Sequence, residues 1–424
     1  MRELKINDNK KHLQTSEGES FFYLADTVWS AFTNINLTDW AYYLDTRAKQ
    51  GFNVLQINIL PQWDRSHGHA HLHPFEQTDQ GYNFHQLNEA YFEHAETMVK
   101  MAVEKGFTPA LVLLWCNYVP NTWASQLIDT MIMPKAAILP YVETVDKYFS
   151  KYNPIYFVSG DTDFETEETI DYYLIALNKI KELAPHCLAT LHIKGRLASL
   201  PEQLQQHHHL DFYLYQSGHN ASYQETAYTV AEAFAQKTPQ RPVINSEPCY
   251  EMMGYSRQIY GRFTRFDVRK AAWQSILSGA SAGITYGAHG IWSWHDIDSR
   301  YGTSLGEGFV TPYPWRTALA FNGAWDYSFI KRFISERALF SLEPQDIILN
   351  KTNEIRAAKQ GTTLLIYVPY NINIELTGKW GNKLANVTEL ETGHRADIPL
   401  KHSDGTTQIP MHYFTGDCLY LIES

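Results

Sequence analysis

Apolar and polar positions alternate along this chain on two different scales. Up to about Phe340, short apolar runs are separated by longer stretches with helical periodicity. The runs are SFFYLAD, FNVLQINIL, FTPALVLLW, PIYFVSGD, CLATLHI, DFYLYQSG, RPVINSE and AGITYGAHGIWSW. They recur at intervals of roughly 25 to 55 residues, room for one helix and its loops each. Among the helical stretches, LTDWAYYLDTRAKQG opens on Thr38 as a cap and closes on Gly51. NEAYFEHAETMVKMAVEKG closes on Gly106, EETIDYYLIALNKIKELAP stops at Pro185, and FDVRKAAWQSILSGA leads into the final run. This alternation predicts an α/β fold whose parallel strands close into a (β/α)8 TIM barrel. An open doubly wound sheet is the alternative, but no GxGxxG or Walker-type turn follows any run.

From about Ser341 the helical period disappears. TTLLIYVPYN, INIELTGKWG, ANVTELETGH, ADIPLKHSDG and DCLYLIES read as short alternating strands split by Gly, Asn and Asp turns. The expected organisation is a barrel over residues 1–340 and a small all-β sandwich over 341–424. The leading KINDNKKHLQTSEGES reads as a hairpin that covers the barrel floor.

Composition narrows the function classes. A net charge of -11 argues against a nucleic-acid partner, whose phosphates need clustered Lys and Arg. No apolar run approaches the roughly 20 residues that span a bilayer, so no membrane role is expected. The polar N-terminus lacks an apolar signal core, which predicts a cytoplasmic location. Cys116, Cys187, Cys249 and Cys418 are widely spaced and predict no disulfide framework. Aromatics make up 14% of the chain, an excess that suits stacking on sugar rings as well as a large core.

Barrels gather their chemistry where strands exit at the C-terminal face. Two carboxylates sit at such exits: Asp161 closes PIYFVSGD and Glu247 closes RPVINSE. Paired acids in an aromatic-rich chain suggest cleavage of a glycosidic bond. Asp163 and Glu251 are their rivals. Other groups at the exits are suited to sugar hydroxyls or rings: Asp26, Trp29, Asn58, Trp115, His192, Gln216, His219, Trp292 and, two residues on, Trp294. Asn117 and His289 hold similar positions. His67, His69, His71 and His73 alternate in HGHAHLHPF, but no carboxylate or cysteine at ligand spacing accompanies them. That run reads as a loop along the cleft, with no metal and no cofactor required. A Cys249–His289 nucleophile pair is weighed and set aside in favour of a buried small thiol.

The segment FFYLADTVWSAFTNINLTDWAYYLDTRAKQGFNVLQINIL resembles the first strand, helix and second strand of the apiosidase-like catalytic domain, glycoside hydrolase family 140 and its relatives. Asp26-Thr-x-Trp29 and Gln50-Gly-Phe-Asn-Val54 are its most specific pieces. Gly160-Asp161, DFYLYQSGH and SEPCYE extend the likeness over nearly the whole chain. Where the family often carries Gly-Gly-Asp, this chain carries Ser159-Gly160-Asp161. The resemblance implies a retaining hydrolase on a (β/α)8 barrel, with Asp161 as acid/base and Glu247 as nucleophile. The expectation is therefore an exo-acting enzyme whose partner is an oligosaccharide. The alternatives are a non-catalytic carbohydrate-binding barrel, an endo-acting glucanase-like hydrolase and a metal-dependent hydrolase working through the histidine run.

Overall fold

A computed structural model describes residues 2–67, 72–79, 81–301, 307–381 and 383–423. His69 and His71 of the alternating run lie outside the described residues. Of their neighbours, His67 donates its backbone N–H to Arg300 O at 3.0 Å, and His73 Nδ1 meets the Tyr82 hydroxyl at 3.0 Å.

Eight parallel strands form the central sheet. They are β1 (Tyr23–Thr27), β2 (Val54–Asn58), β3 (Thr108–Trp115), β4 (Ile155–Gly160), β5 (Ala189–Thr190), β6 (Tyr213–Gln216), β7 (Val243–Glu247) and β8 (Gly283–Tyr286). Each falls within one of the eight apolar runs, except that β1 continues one residue further, to Thr27. Every strand residue is buried, as continuous apolar runs require when helices cover one face and a filled barrel the other. Neighbours follow the order β5-β4-β3-β2-β1-β8-β7-β6. The sheet is nearly a barrel. At its seam, β5 and β6 share no regular ladder; the Asp211 N–H donates to Ala189 O at 2.9 Å and the Thr190 hydroxyl to Phe212 O at 2.7 Å.

Helices follow the strands around the outside: α1 (Leu37–Lys49), α2 (Glu89–Glu104), α3 (Ile138–Phe149), α4 (Glu167–Leu183), the single turn α5 (Glu202–Gln205), α6 (Thr226–Ala235), α7 (Arg265–Ile276) and α8 (Gly323–Glu336). Asn36, not Thr38, caps α1: its side chain accepts from the Asp39 N–H at 2.9 Å, and Thr38 lies inside the helix. The two candidates are two residues apart, and only backbone geometry separates them. Thr264 and Asp267 form a reciprocal capping box that starts α7. Among the described residues no helix is long and apolar enough to cross a membrane. The four cysteines are free and buried.

The leading segment pairs Leu4–Ile6 with Leu13–Thr15, which pairs in turn with Ser20–Phe21. Leu4 and Leu13 enter the barrel core just below β1. Beyond α8, the chain forms two antiparallel sheets around a second core. The larger is ordered 343–344, 356–360, 363–368, 418–423, 384–389, 395–399, and the smaller joins 374–377, 406–409 and 401–403. Leu365, Tyr367 and Leu419 of the larger sheet pack into the barrel core.

A buried ion network joins this β region to α7 and α8. Arg269 Nε lies 2.9 and 3.1 Å from the two Asp417 oxygens, and Arg269 Nη1 lies 2.9 Å from Asp326. The Tyr367 hydroxyl donates to Asp417 at 3.0 Å, and Arg265 meets both oxygens of Asp326. Removing the central cation strands the buried Asp417 carboxylate and takes one of two cations from Asp326. Arg269→Ala should therefore destabilise the fold by about 3–5 kcal/mol, read as a lowered urea midpoint.

Candidate active site

A cleft enclosing about 300 Å³ opens at the C-terminal ends of the strands. Asp161 and Glu247 both line it. Glu247 ends β7, where strict alternation would turn it outward after Ser246. A register shift against β6 intervenes: Tyr215 pairs with Asn245, but Gln216 pairs with Glu247. The extra residue lets Ser246 bond His192 inside the barrel while Glu247 still reaches the cleft.

Glu247 Oε2 accepts from His192 Nε2 and Oε1 from His219 Nε2, both at 2.9 Å. Burial pushes this carboxyl up. The two imidazole hydrogen bonds and charges outweigh burial and hold it down at about 2. His192 Nδ1 meets the Ser246 hydroxyl at 2.8 Å, which fixes the ring's orientation. The Tyr250 hydroxyl accepts from Trp29 Nε1 at 2.9 Å and is pushed up by burial and by the charge on Glu247.

Asp161 follows β4 in a left-handed conformation, φ 47°, which Asp tolerates better than most residues. Gly160 before it is obligatory in this packing: a Cβ there would stand 2.1 Å from the Trp115 ring. Ser159 is buried, and its hydroxyl donates to His192 O at 2.9 Å. The Asp161 carboxyl is raised well above the usual range. Withdrawal from water is the largest cause, followed by the charges of Glu247, Asp64, Glu307 and Asp163. The single cleft thus lowers one acid and raises the other.

The remaining expected residues divide cleanly. Trp29, Trp115, Gln216, His219 and Trp292 line the cleft with the two acids. His192 is buried behind Glu247 rather than on the wall. Asp26 is fully buried, bound by Arg47 at 2.6 Å and Tyr43 at 2.7 Å, and makes a structural ion pair away from the cleft. Trp294 stacks on Trp315 at 4.4 Å within the core. Asn58 and Asn117 are buried and not on the cleft wall. The rivals are structural too. Asp163 pairs with Lys194 at 3.0 Å, and Glu251 accepts from Tyr286 at 2.5 Å and from the Gly323 N–H at 2.8 Å, capping α8. Burial raises the Cys249 thiol, and His289 lies against Arg262 at 3.4 Å instead of forming a nucleophile pair with it.

Sequence reasoning missed Gln62, Trp63, Asp64, Trp123, Tyr301 and Glu307, all of which line the cleft. Gln62-Trp63-Asp64 stands just beyond β2, so the strand-exit criterion extended by a few residues would have found it. Trp123 donates Nε1 to Asp161 O at 2.7 Å and stands edge-on to Trp63 at 5.4 Å. Tyr301 and Glu307 carry no local signal. Several lining side chains hold buried polar atoms without a partner among the described residues: Gln62 Oε1, Asp64 Oδ1, Gln216 Oε1 and Glu307 Oε2 as acceptors, and the Nε1 atoms of Trp63, Trp115 and Trp292 as donors. His219 Nδ1 is also unpartnered.

No curated protein matches the chain. Among solved structures, a glycoside hydrolase superposes with TM-score 0.80 at 20% identity, covering 100% of this chain and 97% of its own. A glycoside hydrolase family 5 protein of Bacteroides vulgatus ATCC 8482 gives TM-score 0.80 at 20% identity, covering 99% and 93%. A family 5 mannosidase of Rhizomucor miehei gives 0.52 at 14% identity, covering 79% and 98%. These likenesses concern the fold. Residues 7–341 match the family described as "Apiosidase-like, catalytic domain". With that match over most of its length, the chain belongs to the apiosidase-like catalytic domain family and is a glycoside hydrolase.

Proposed function

We propose that this protein is a retaining glycoside hydrolase that removes a terminal sugar from short oligosaccharides, with Glu247 as nucleophile and Asp161 as acid/base. The observation that carries this is the opposite electrostatic setting of the two acids. Two imidazoles hold Glu247 ionised, and burial with the charge of Glu247 keeps Asp161 protonated. In the first step Glu247 attacks the anomeric carbon while Asp161 gives its proton to the leaving oxygen. A glycosyl ester forms and the aglycone departs. Water then attacks the same carbon, Asp161 takes the water's proton, and Glu247 is released.

The unpartnered polar atoms around the cleft support a polyhydroxylated ligand, because a sugar supplies donors and acceptors in a small volume. The free volume of about 300 Å³, at the low end of small-molecule sites, supports action at a chain end. The β region from residue 341 onward acts as a brace, a reading supported by the buried Arg269–Asp417 contact.

Glu247→Gln should abolish turnover of aryl glycosides while sugar binding persists; surviving turnover removes Glu247 as nucleophile. Asp161→Asn should slow substrates with poor leaving groups by roughly 10²–10⁴-fold and activated aryl glycosides less in the first step. Proton NMR of the first-formed product should show the substrate's anomeric configuration, and inversion would overturn the two-step scheme. In the pH profile of kcat/KM, activity falls on the acid side as Glu247 gains a proton and on the alkaline side as Asp161 loses one. His219→Ala removes a donor that lowers Glu247, so the acid limb should move to higher pH by about one unit or more.

A further inference from the structure

Most buried acids of this fold meet a cation or an imidazole. Asp26 has Arg47, Asp163 has Lys194, Asp417 and Asp326 share Arg269, and Glu247 has two imidazoles. Asp64, like Glu307, has no such partner among the described residues. It lines the same cleft as the acid pair, and its Oδ1 is buried with no partner among the described residues. The adjacent Arg65 donates to Gln62 O at 2.6 Å. The short loop carrying Asp64 is nonetheless pinned. The Ser66 N–H donates to Ser293 O at 3.2 Å, Asn34 Nδ2 to Ser66 O at 2.7 Å, and Ser66 Oγ meets His295 Nδ1 at 3.0 Å. One oxygen of a carboxyl held in place this way is left without a partner, which a ligand hydroxyl would supply.

We propose that Asp64 is a third carboxyl of the reaction centre, binding a hydroxyl of the sugar being cleaved. This rests on the reading of Asp161 as acid/base. Asp64 is also one of four acids whose charges raise Asp161, with Glu247, Glu307 and Asp163. The groups acting on Asp64 itself are its burial, which raises it to about 7, its own backbone N–H, the charge on Glu247 and the opposing charge on Arg65. Asp64 in turn raises Tyr301 on the cleft wall and the buried Cys116 behind it. Below about 7 the carboxyl is neutral and donates to a sugar oxygen; above it, the carboxylate accepts from a hydroxyl.

The test uses the 4-nitrophenyl glycoside or furanoside that the wild-type protein cleaves fastest, and its monodeoxy analogues. Asp64→Asn should lower kcat/KM by roughly 10–100-fold with the melting temperature unchanged. It should also move the alkaline limb to lower pH by about half a unit or more, because a negative charge that raised Asp161 is gone. One monodeoxy analogue should lose a similar factor with the wild-type protein and lose no more with Asp64→Asn. Full additivity with every deoxy analogue overturns the proposal and leaves Asp64 a structural residue. Asp161→Asn separates the two readings: if that variant keeps the wild-type alkaline limb, the acid/base assignment has failed instead.

Discussion

Everything at the top of this barrel is arranged around one buried negative charge. Glu247 sits in a wall of Trp, Tyr and strand backbone, where an isolated carboxylate would take up a proton. His192 and His219 prevent that by each supplying a hydrogen bond at 2.9 Å. Their origins matter as much as their chemistry. His192 follows β5, His219 follows β6 and Glu247 ends β7, so one carboxylate ties together the three strand ends nearest the seam, where β5 and β6 lack a ladder. The ion that suits the chemistry also fastens the part of the barrel with the fewest backbone hydrogen bonds.

The acidic character of the cleft follows from that charge. Asp161 cannot share the space with an ionised Glu247 without resisting ionisation, and Asp64 and Glu307 add to the pressure. Aromatic walls strengthen the effect by keeping water out. Trp29 packs against Trp115 at 5.3 Å and both rings lie against His192, while Trp123 grips the Asp161 backbone. Trp115, with Trp63 and Trp292, leaves its indole N–H unpartnered among the described residues, so the wall that sets the electrostatics also presents donors to a ligand.

The β region contributes at a distance. Its Asp417, held by the Tyr367 hydroxyl, locks onto Arg269 of α7, and Lys270 and Gln274 of the same helix reach Glu354. α7 follows the loop that descends from Glu247 through Tyr250 to Thr264. Fixing its outer face with buried charge limits how far that loop can shift, which matters for a site whose groups must hold their geometry to fractions of an ångström.

The amino-acid order alone determined the scaffold. Eight apolar runs, helices between them and alternating strands after residue 341 are local patterns, and local periodicity survives without knowing what packs against what. It also put Asp161 and Glu247 at strand exits, because the C-terminal face follows from chain direction. Tertiary structure decided the rest. Asp26 and Trp294 looked like ligand groups until Arg47 and Trp315 arrived from distant segments to claim them. Asp64 and Glu307 drew no notice, because a carboxylate's role depends on the cation that fails to meet it. The turn of Glu247 into the cleft came from a one-residue register shift against β6. Partnership, burial and register are all relations between remote parts of the chain, and no window of neighbouring residues contains them.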